Sequence, residues 1–233
     1  MLKTLINKIT KNPIWDKAII KLKRILFSEK PFETSSKYWE DRYNVGGNSG
    51  AGSYNNLAEF KGEIINSFVS ENNIDSVIEF GCGDGNQLRY FSFNSYIGYD
   101  VSSKAITLCS DIFKNDGSKQ FIKLIDYKPI KADLTLSLDV IYHLIEDDVF
   151  HDYMSKLFDS SKRFVIIYSS NGDIPENNNI ADHVKDRQFT NWIEQKRPNF
   201  KLLKYIPNKY PYNGDGTKTS IADFYIFEKK CNS

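Results

Sequence analysis

Three cysteines in 233 residues are too few for a disulfide scaffold. Cys82, Cys109 and Cys231 also lack the spacing of a metal site, and so do the three scattered histidines, His143, His151 and His183. No resident metal is expected, and a reducing cytoplasmic setting is. Neither sign of charge is in surplus: Lys+Arg 31 stand against Asp+Glu 30, a net charge of +1. A general nucleic-acid binder carries a larger basic excess, so nucleic acid is not an expected partner. No apolar run is long enough to span a bilayer or to form a signal-peptide core. What is present is length enough for a substantial core and 14% aromatic residues to pack it.

The first 27 residues differ from the rest. Leu2, Leu5, Ile6 and Ile9 share one helical face, and after Pro13 so do Trp15, Ala18, Ile19, Leu22 and Leu26. The other faces carry Lys3, Lys8, Lys11, Lys17, Lys21, Lys23 and Arg24, with Asp16 the one acid. Such an arm packs on its own domain or on a second copy, giving a homodimer. The alternative is an amphipathic helix resting on an anionic membrane, peripheral at the inner membrane. Residues 28–34, with Pro31, read as a linker. The division is therefore 1–34, basic amphipathic arm and linker, and 35–233, one domain.

That domain is organised around Ser76-Val77-Ile78-Glu79-Phe80-Gly81-Cys82-Gly83-Asp84-Gly85-Asn86. A short apolar strand breaks into three alternating glycines, and Asn86–Phe91 can then start a helix. Strand, glycine turn and helix open a nucleotide-binding α/β sheet. The third glycine of the dinucleotide fingerprint is replaced by Asn86. Glu79 and Asp84 flank the turn, where carboxylates repel a diphosphate and suit a cationic ligand such as S-adenosylmethionine. The next strand, Tyr96–Tyr99, ends at Asp100, about 20 residues on, where an acid binds ribose hydroxyls. Cys82 reads as a small packing residue.

Val77–Gly85, Gly98-Tyr99-Asp100-Val101-Ser102 and Asp133–Leu144 together resemble the successive motifs of class I methyltransferases, over roughly residues 35–230. The resemblance implies an α/β, Rossmann-like seven-stranded sheet, mostly parallel with an antiparallel last pair, and helices on both faces. It implies S-adenosylmethionine as cofactor. The site would draw on Tyr38, Arg42, Glu79, Gly81, Cys82, Gly83, Gln87, Asp100, Val101, Asp126, Leu138 and Asp139. Arg42 would take the methionine carboxylate or else pair with Glu40 or Asp41; Asp126 would meet the adenine amino group or be a loop acid. The motifs are similar to those of methyltransferases from bacterial capsule and surface-polysaccharide biosynthesis. The implied acceptor is an oxygen on a sugar, a nucleotide-linked sugar or a phosphoramidate. An NAD-dependent oxidoreductase and a non-catalytic scaffold are the alternatives.

Along the remaining chain, Lys37–Tyr43 precede a glycine-rich loop, Gly46–Tyr54, which by the same resemblance would close over the site, or else is an ordinary flexible connection. Leu57, Phe60, Ile64, Ile65 and Phe68 predict a helix. Ser102 predicts an N-cap for a helix bearing Ile106, Cys109, Ile112 and Phe113. Strands are expected at Phe121–Ile125, Leu134–Leu138, Arg163–Tyr168, Phe200–Ile206 and Ser220–Phe227. A helix with Phe150, Tyr153, Met154, Leu157 and Phe158 on its core face starts after the acids Glu146, Asp147 and Asp148. Asp173–Asn179 is polar and turn-rich. His143, beyond the fourth strand, is the candidate general base: imidazole suits deprotonation of a hydroxyl near neutral pH, or else it packs on the next helix. His183, Lys185 and Arg187 either hold an anionic part of the acceptor or form a solvated helix face.

Overall fold

A computed structural model of the chain describes residues 32–172 and 181–230. The amphipathic arm at 1–27, most of the linker, the turn-rich 173–179 and Cys231 lie outside the described residues.

Seven strands form one sheet: β1 Ser76–Phe80, β2 Ser95–Asp100, β3 Lys119–Lys123, β4 Ala132–Leu138, β5 Ser161–Ser169, β6 Phe200–Ile206 and β7 Asp223–Lys229. Their order is β3-β2-β1-β4-β5-β7-β6. The first five run parallel, and β7 is antiparallel to both β5 and β6. The helices are α1 Ser35–Asn44, α2 Asn55–Glu71, α3 Ser103–Ile112, α4 Asp147–Asp159 and α5 Phe189–Lys196.

The apolar strands β1, β4 and β5 need cover on both faces, as parallel strands do. Alternation divides them between two cores. Val77, Leu134, Leu136, Phe164, Ile166 and Tyr168 pack with Phe60, Ile65 and Phe68 of α2 and Cys109 of α3. Ile78, Phe80, Val165 and Ile167 pack with Phe150, Tyr153, Met154, Leu157 and Phe158 of α4 and Ile193 of α5. Burying an aliphatic side chain such as Leu157 or Met154 is worth about 1.5–3 kcal/mol. Ser102 caps α3 as expected, its Oγ accepting from the Ala105 amide at 3.2 Å.

Two elements differ from the sequence reading. The expected helix at 86–91 is only a 3-10 turn, Gln87–Tyr90. Phe91 is already extended there, and Leu88, Phe91 and Phe93 are buried in its place. Phe93 stacks on Tyr96 at 5.7 Å, filling the face a longer helix would cover. β3 ends at Lys123, and Leu124–Asp126 turn as a 3-10 helix. Ile125, expected inside, is 84% exposed.

β1 lies between β2 and β4, so successive connections leave it in opposite directions. A crevice opens at such a switch point, beyond the carboxyl ends of the strands. The far edge, β6, carries a bulge at Leu203 beside Lys201 and Lys204, which discourages edge-to-edge pairing. Among the described residues no helix is long and apolar enough to cross a membrane.

Candidate functional site

A cavity open to solvent occupies the crevice, enclosing about 840 Å³ when the solvent at its mouth is counted. Gly81, Cys82 and Gly83 form one wall, Asp100 and Val101 a second, and Leu138, Asp139, Val140, His143 and Leu144 a third. Trp39 and Tyr43 of α1 and Ser49 and Ser53 of the glycine-rich loop close it from above.

The glycine turn must be glycine. Gly81, Gly83 and Gly85 have φ of +85°, +58° and +73°, the left-handed region that side chains resist. A Cβ on Gly81 would stand 2.4 Å from Val140 Cγ2, and one on Gly83 2.3 Å from Ser49 Oγ. The Gly81 and Cys82 amides donate to the Tyr99 carbonyl at 2.7 and 3.0 Å. The Gly83 amide donates to Asp100 Oδ2 at 2.9 Å, and the Ser102 amide to Oδ1 at 2.9 Å. These bonds fix the Asp100 carboxyl at the cavity edge. Burial pushes its pKa up to about 6, against the pull of the two amides.

The two acids beside the turn face inward. Glu79 is buried, accepting from Tyr96 OH at 2.6 Å and Gln87 Nε2 at 3.1 Å, and burial raises its pKa to about 7. It does not line the cavity; Gln87 does. Gln87 Oε1 is buried without a hydrogen-bond partner among the described residues. Asp84 accepts from the Ser49 amide at 2.9 Å and Tyr54 OH at 2.7 Å, and its own amide donates to Ser49 Oγ at 2.9 Å. It therefore latches the glycine-rich loop onto the turn.

Tyr38 and Arg42 stand off the cavity. The guanidinium donates from Nε to the Asn48 carbonyl at 2.6 Å and lies 5.6 Å from the Trp39 ring centre. It holds the loop, while Trp39 and Tyr43 on the same helix reach the cavity. Asp126 is exposed on its turn, and Leu124 lines the cavity instead. The early end of β3 is the cause.

Asp139 has φ of +59°, uncommon for a residue with a side chain. Its amide donates to the Tyr168 carbonyl at 2.9 Å, and Oδ1 accepts from Tyr142 OH at 2.8 Å. Oδ2 pairs at 2.5 Å with Lys61, a wholly buried lysine of α2. The sequence carried a sign of this: Lys61 interrupts the apolar stripe one turn after Leu57 and one before Ile65.

His143 lies beside Trp39, with ring centres 5.0 Å apart. Its Nδ1 is 2.9 Å from the His183 carbonyl, an acceptor only, so Nδ1 carries the proton and Nε2 the lone pair. Burial pushes its pKa down to about 4, which keeps the ring neutral at physiological pH. The His183 ring stacks between those of Tyr38 and His143. Arg187 turns inward, while Lys185 stays half-exposed. Lys185 Nζ donates to Asp147 at 2.7 Å; Arg187 donates to the Leu144 carbonyl at 2.6 Å, the Ile145 carbonyl at 2.9 Å and the Asp147 carboxylate. They clamp the loop after β4 and are spent on it.

No protein-family model matches this chain, and no curated protein does. Solved structures do. The methyltransferase domain of bacterial CtHen1-C aligns with a TM-score of 0.57 at 18% identity, covering 76% of this chain and 100% of that one. The magnesium protoporphyrin IX methyltransferase ChlM of Synechocystis PCC 6803, solved with bound SAM, aligns at 0.58 and 13%, covering 86% and 100%. The N-methyltransferase NodS of Bradyrhizobium japonicum WM9, in complex with S-adenosyl-l-homocysteine, aligns at 0.62 and 11%, covering 84% and 99%. The chain has the class I methyltransferase fold. In this methyltransferase fold the cavity sits where β1 and β4 end, the position dictated by the strand order alone.

Proposed function

We propose that the protein is an S-adenosylmethionine-dependent methyltransferase acting on an oxygen of a small surface-glycan precursor. The acceptor class is a sugar, a nucleotide-linked sugar or a phosphoramidate, following the motif resemblance. One observation carries the cofactor: the cavity is lined by Asp100, Asp139 and the exposed Asp152, and by no lysine or arginine. A diphosphate would meet no basic side chain in that lining, whereas a cation meets carboxyls, one of them paired with Lys61 behind the wall.

The residues present fit such a ligand. Left-handed glycines at 81 and 83 put bare backbone on the cavity wall, packed so closely by Val140 and Ser49 that no side chain fits. Asp100 can accept from ribose hydroxyls while keeping its amide bonds, since each carboxylate oxygen has a second lone pair. The unpartnered Gln87 Oε1 is a buried acceptor for an ammonium. Leu124, Val101 and Leu138 offer an apolar slot for a base. When bound, S-adenosylmethionine supplies an activated methyl group on a sulfonium.

His143 Nε2 receives the hydroxyl proton of the acceptor. At a pKa near 4 it is a weak base, so it takes the proton late, once the oxygen is bonding to carbon and has become acidic. The Nδ1 bond to the His183 carbonyl holds the ring in that tautomer and orientation. Trp39 and the glycine-rich loop exclude water and align the partners.

Isothermal calorimetry of the purified protein with S-adenosylhomocysteine and with NADH tests the cofactor. Micromolar binding of the first alone is expected; binding of NADH alone would overturn the reading. A methyl-transfer screen over nucleotide sugars and phosphoramidates then tests the acceptor.

A further inference from the structure

An ammonium is among the costliest groups to strip of water, and Lys61 is wholly buried. Its Nζ stands 2.5 Å from Asp139 Oδ2 and 5.0 Å from the centre of the Tyr168 ring. The carboxylate it meets has further restraints. Tyr142 OH holds Oδ1 at 2.8 Å, and the Tyr168 carbonyl pins the Asp139 amide at 2.9 Å. Gly52 approaches so closely that a Cβ there would stand 2.7 Å from Oδ2. Asp139 nonetheless lines the cavity, whereas Lys61 does not.

We propose that Lys61 is a positioning residue of the methyl-donor site: it holds the Asp139 carboxylate against the cavity wall and cancels its charge toward the ligand. The inference rests on the function proposed above. Its physical reason lies in the change of charge during methyl transfer. The sulfonium is cationic before transfer and neutral afterwards. A bare carboxylate beside it would stabilise the ground state more than the transition state, which slows the chemical step. An ion pair presents only a weak dipole, and that preference largely disappears. The residue thus acts through Asp139 and not on the reacting atoms.

The test compares S-adenosylmethionine with S-adenosylhomocysteine, which differ by the methyl and its charge. Calorimetric titrations of the wild type, Lys61→Met, Asp139→Asn and the double variant give the ratio of the two affinities. In Lys61→Met the ratio shifts toward S-adenosylmethionine by about tenfold, the effect of one partly screened charge. In the double variant it returns to the wild-type value. In Asp139→Asn the bare ammonium shifts it by about tenfold the other way. If Lys61→Met does not fold, Asp139→Asn carries the test alone. Equal weakening of both ligands, with the ratio unchanged, is what a merely structural ion pair gives and overturns the proposal. A wild type that binds neither ligand refutes the methyltransferase reading itself, and this inference falls with it.

Discussion

Replacing Gly83 by alanine attacks the point where the glycine turn and the glycine-rich loop meet. The backbone there has φ of +58°, and the added Cβ would lie 2.3 Å from Ser49 Oγ and 3.0 Å from Tyr43 OH. A left-handed conformation costs a residue with a Cβ about 1–2 kcal/mol. Ser49 must also move, and its hydroxyl holds the Asp84 amide at 2.9 Å and Tyr43 OH at 2.8 Å. Two such bonds are worth about 1 kcal/mol each. The expected loss is about 3–4 kcal/mol, which for a domain of this size lowers Tm by roughly 6–16 °C. Urea denaturation and calorimetry measure it. Ser49→Gly alone loses only the two hydrogen bonds. Adding Gly83→Ala to it then costs only the strain, so the two changes are coupled by about 2 kcal/mol. Strict additivity, or a Gly83→Ala protein as stable as the wild type, would refute the claim that Ser49 seats the loop on the turn.

Other outcomes follow from the same geometry. His143→Gln is expected to lower turnover by about 10²- to 10⁴-fold with S-adenosylhomocysteine affinity unchanged, since the role proposed for it is to receive a proton and not to hold the cofactor. A calorimetric Kd that moves with kcat would remove that role. The folded pKa of His143, about 4, lies below its ordinary 6.5, so the folded state binds fewer protons between them. Its contribution to stability is complete above pH 6.5 and declines as pH falls toward 4, and denaturation of His143→Gln across that window should lack this decline. Glu79 has the opposite sign: its pKa of about 7 exceeds 4.5, so its contribution is present in acid and lost as pH rises from 4.5 through 7. Glu79→Gln should flatten that limb. Arg187→Ala is expected to cost about 1–3 kcal/mol: it unpairs the Leu144 carbonyl, while the Ile145 carbonyl keeps Lys185 Nζ at 3.2 Å. A raised acceptor KM with unchanged stability would instead give Arg187 back to substrate binding.

The strands, the glycine turn and the core faces of α2 and α4 were readable because period and punctuation are local properties; on α3 Cys109 is buried, whereas Ile112 is 41% exposed. Where local pattern and chain length conflicted, length prevailed. The fourteen residues between β1 and β2, 81–94, must hold the turn and return to the sheet, so Gln87–Tyr90 form one 3-10 turn while Phe91 and Phe93 do the burying. Side-chain direction was less readable than backbone. Tyr38, Trp39, Arg42 and Tyr43 share one helix, and whether Arg42 or Trp39 enters the cavity depends on how that helix rolls against the crevice. Lys185 and Arg187 read as free cations because their partners, the carbonyls of Leu144 and Ile145, carry no mark in a sequence.

The charge of the site shows the same separation of residue from role. The expectation of a cationic ligand began from Glu79 and Asp84, yet one is turned under the sheet toward Tyr96 and the other is consumed by the loop. The cavity still has no lysine or arginine, and its carboxylates are Asp100, Asp139 and Asp152. The two inner acids make this possible indirectly. Glu79 accepts the Gln87 amide and leaves the buried Gln87 Oε1 without a donor among the described residues. Asp84 fastens Ser49 and Tyr54, so the roof contributes hydroxyls and no cation. Of the basic side chains nearby, Arg42 is held by the Asn48 carbonyl and Lys61 by Asp139. The lack of a basic side chain in the cavity lining therefore follows from where the basic groups are tied down, a property of pairing that no single motif encodes.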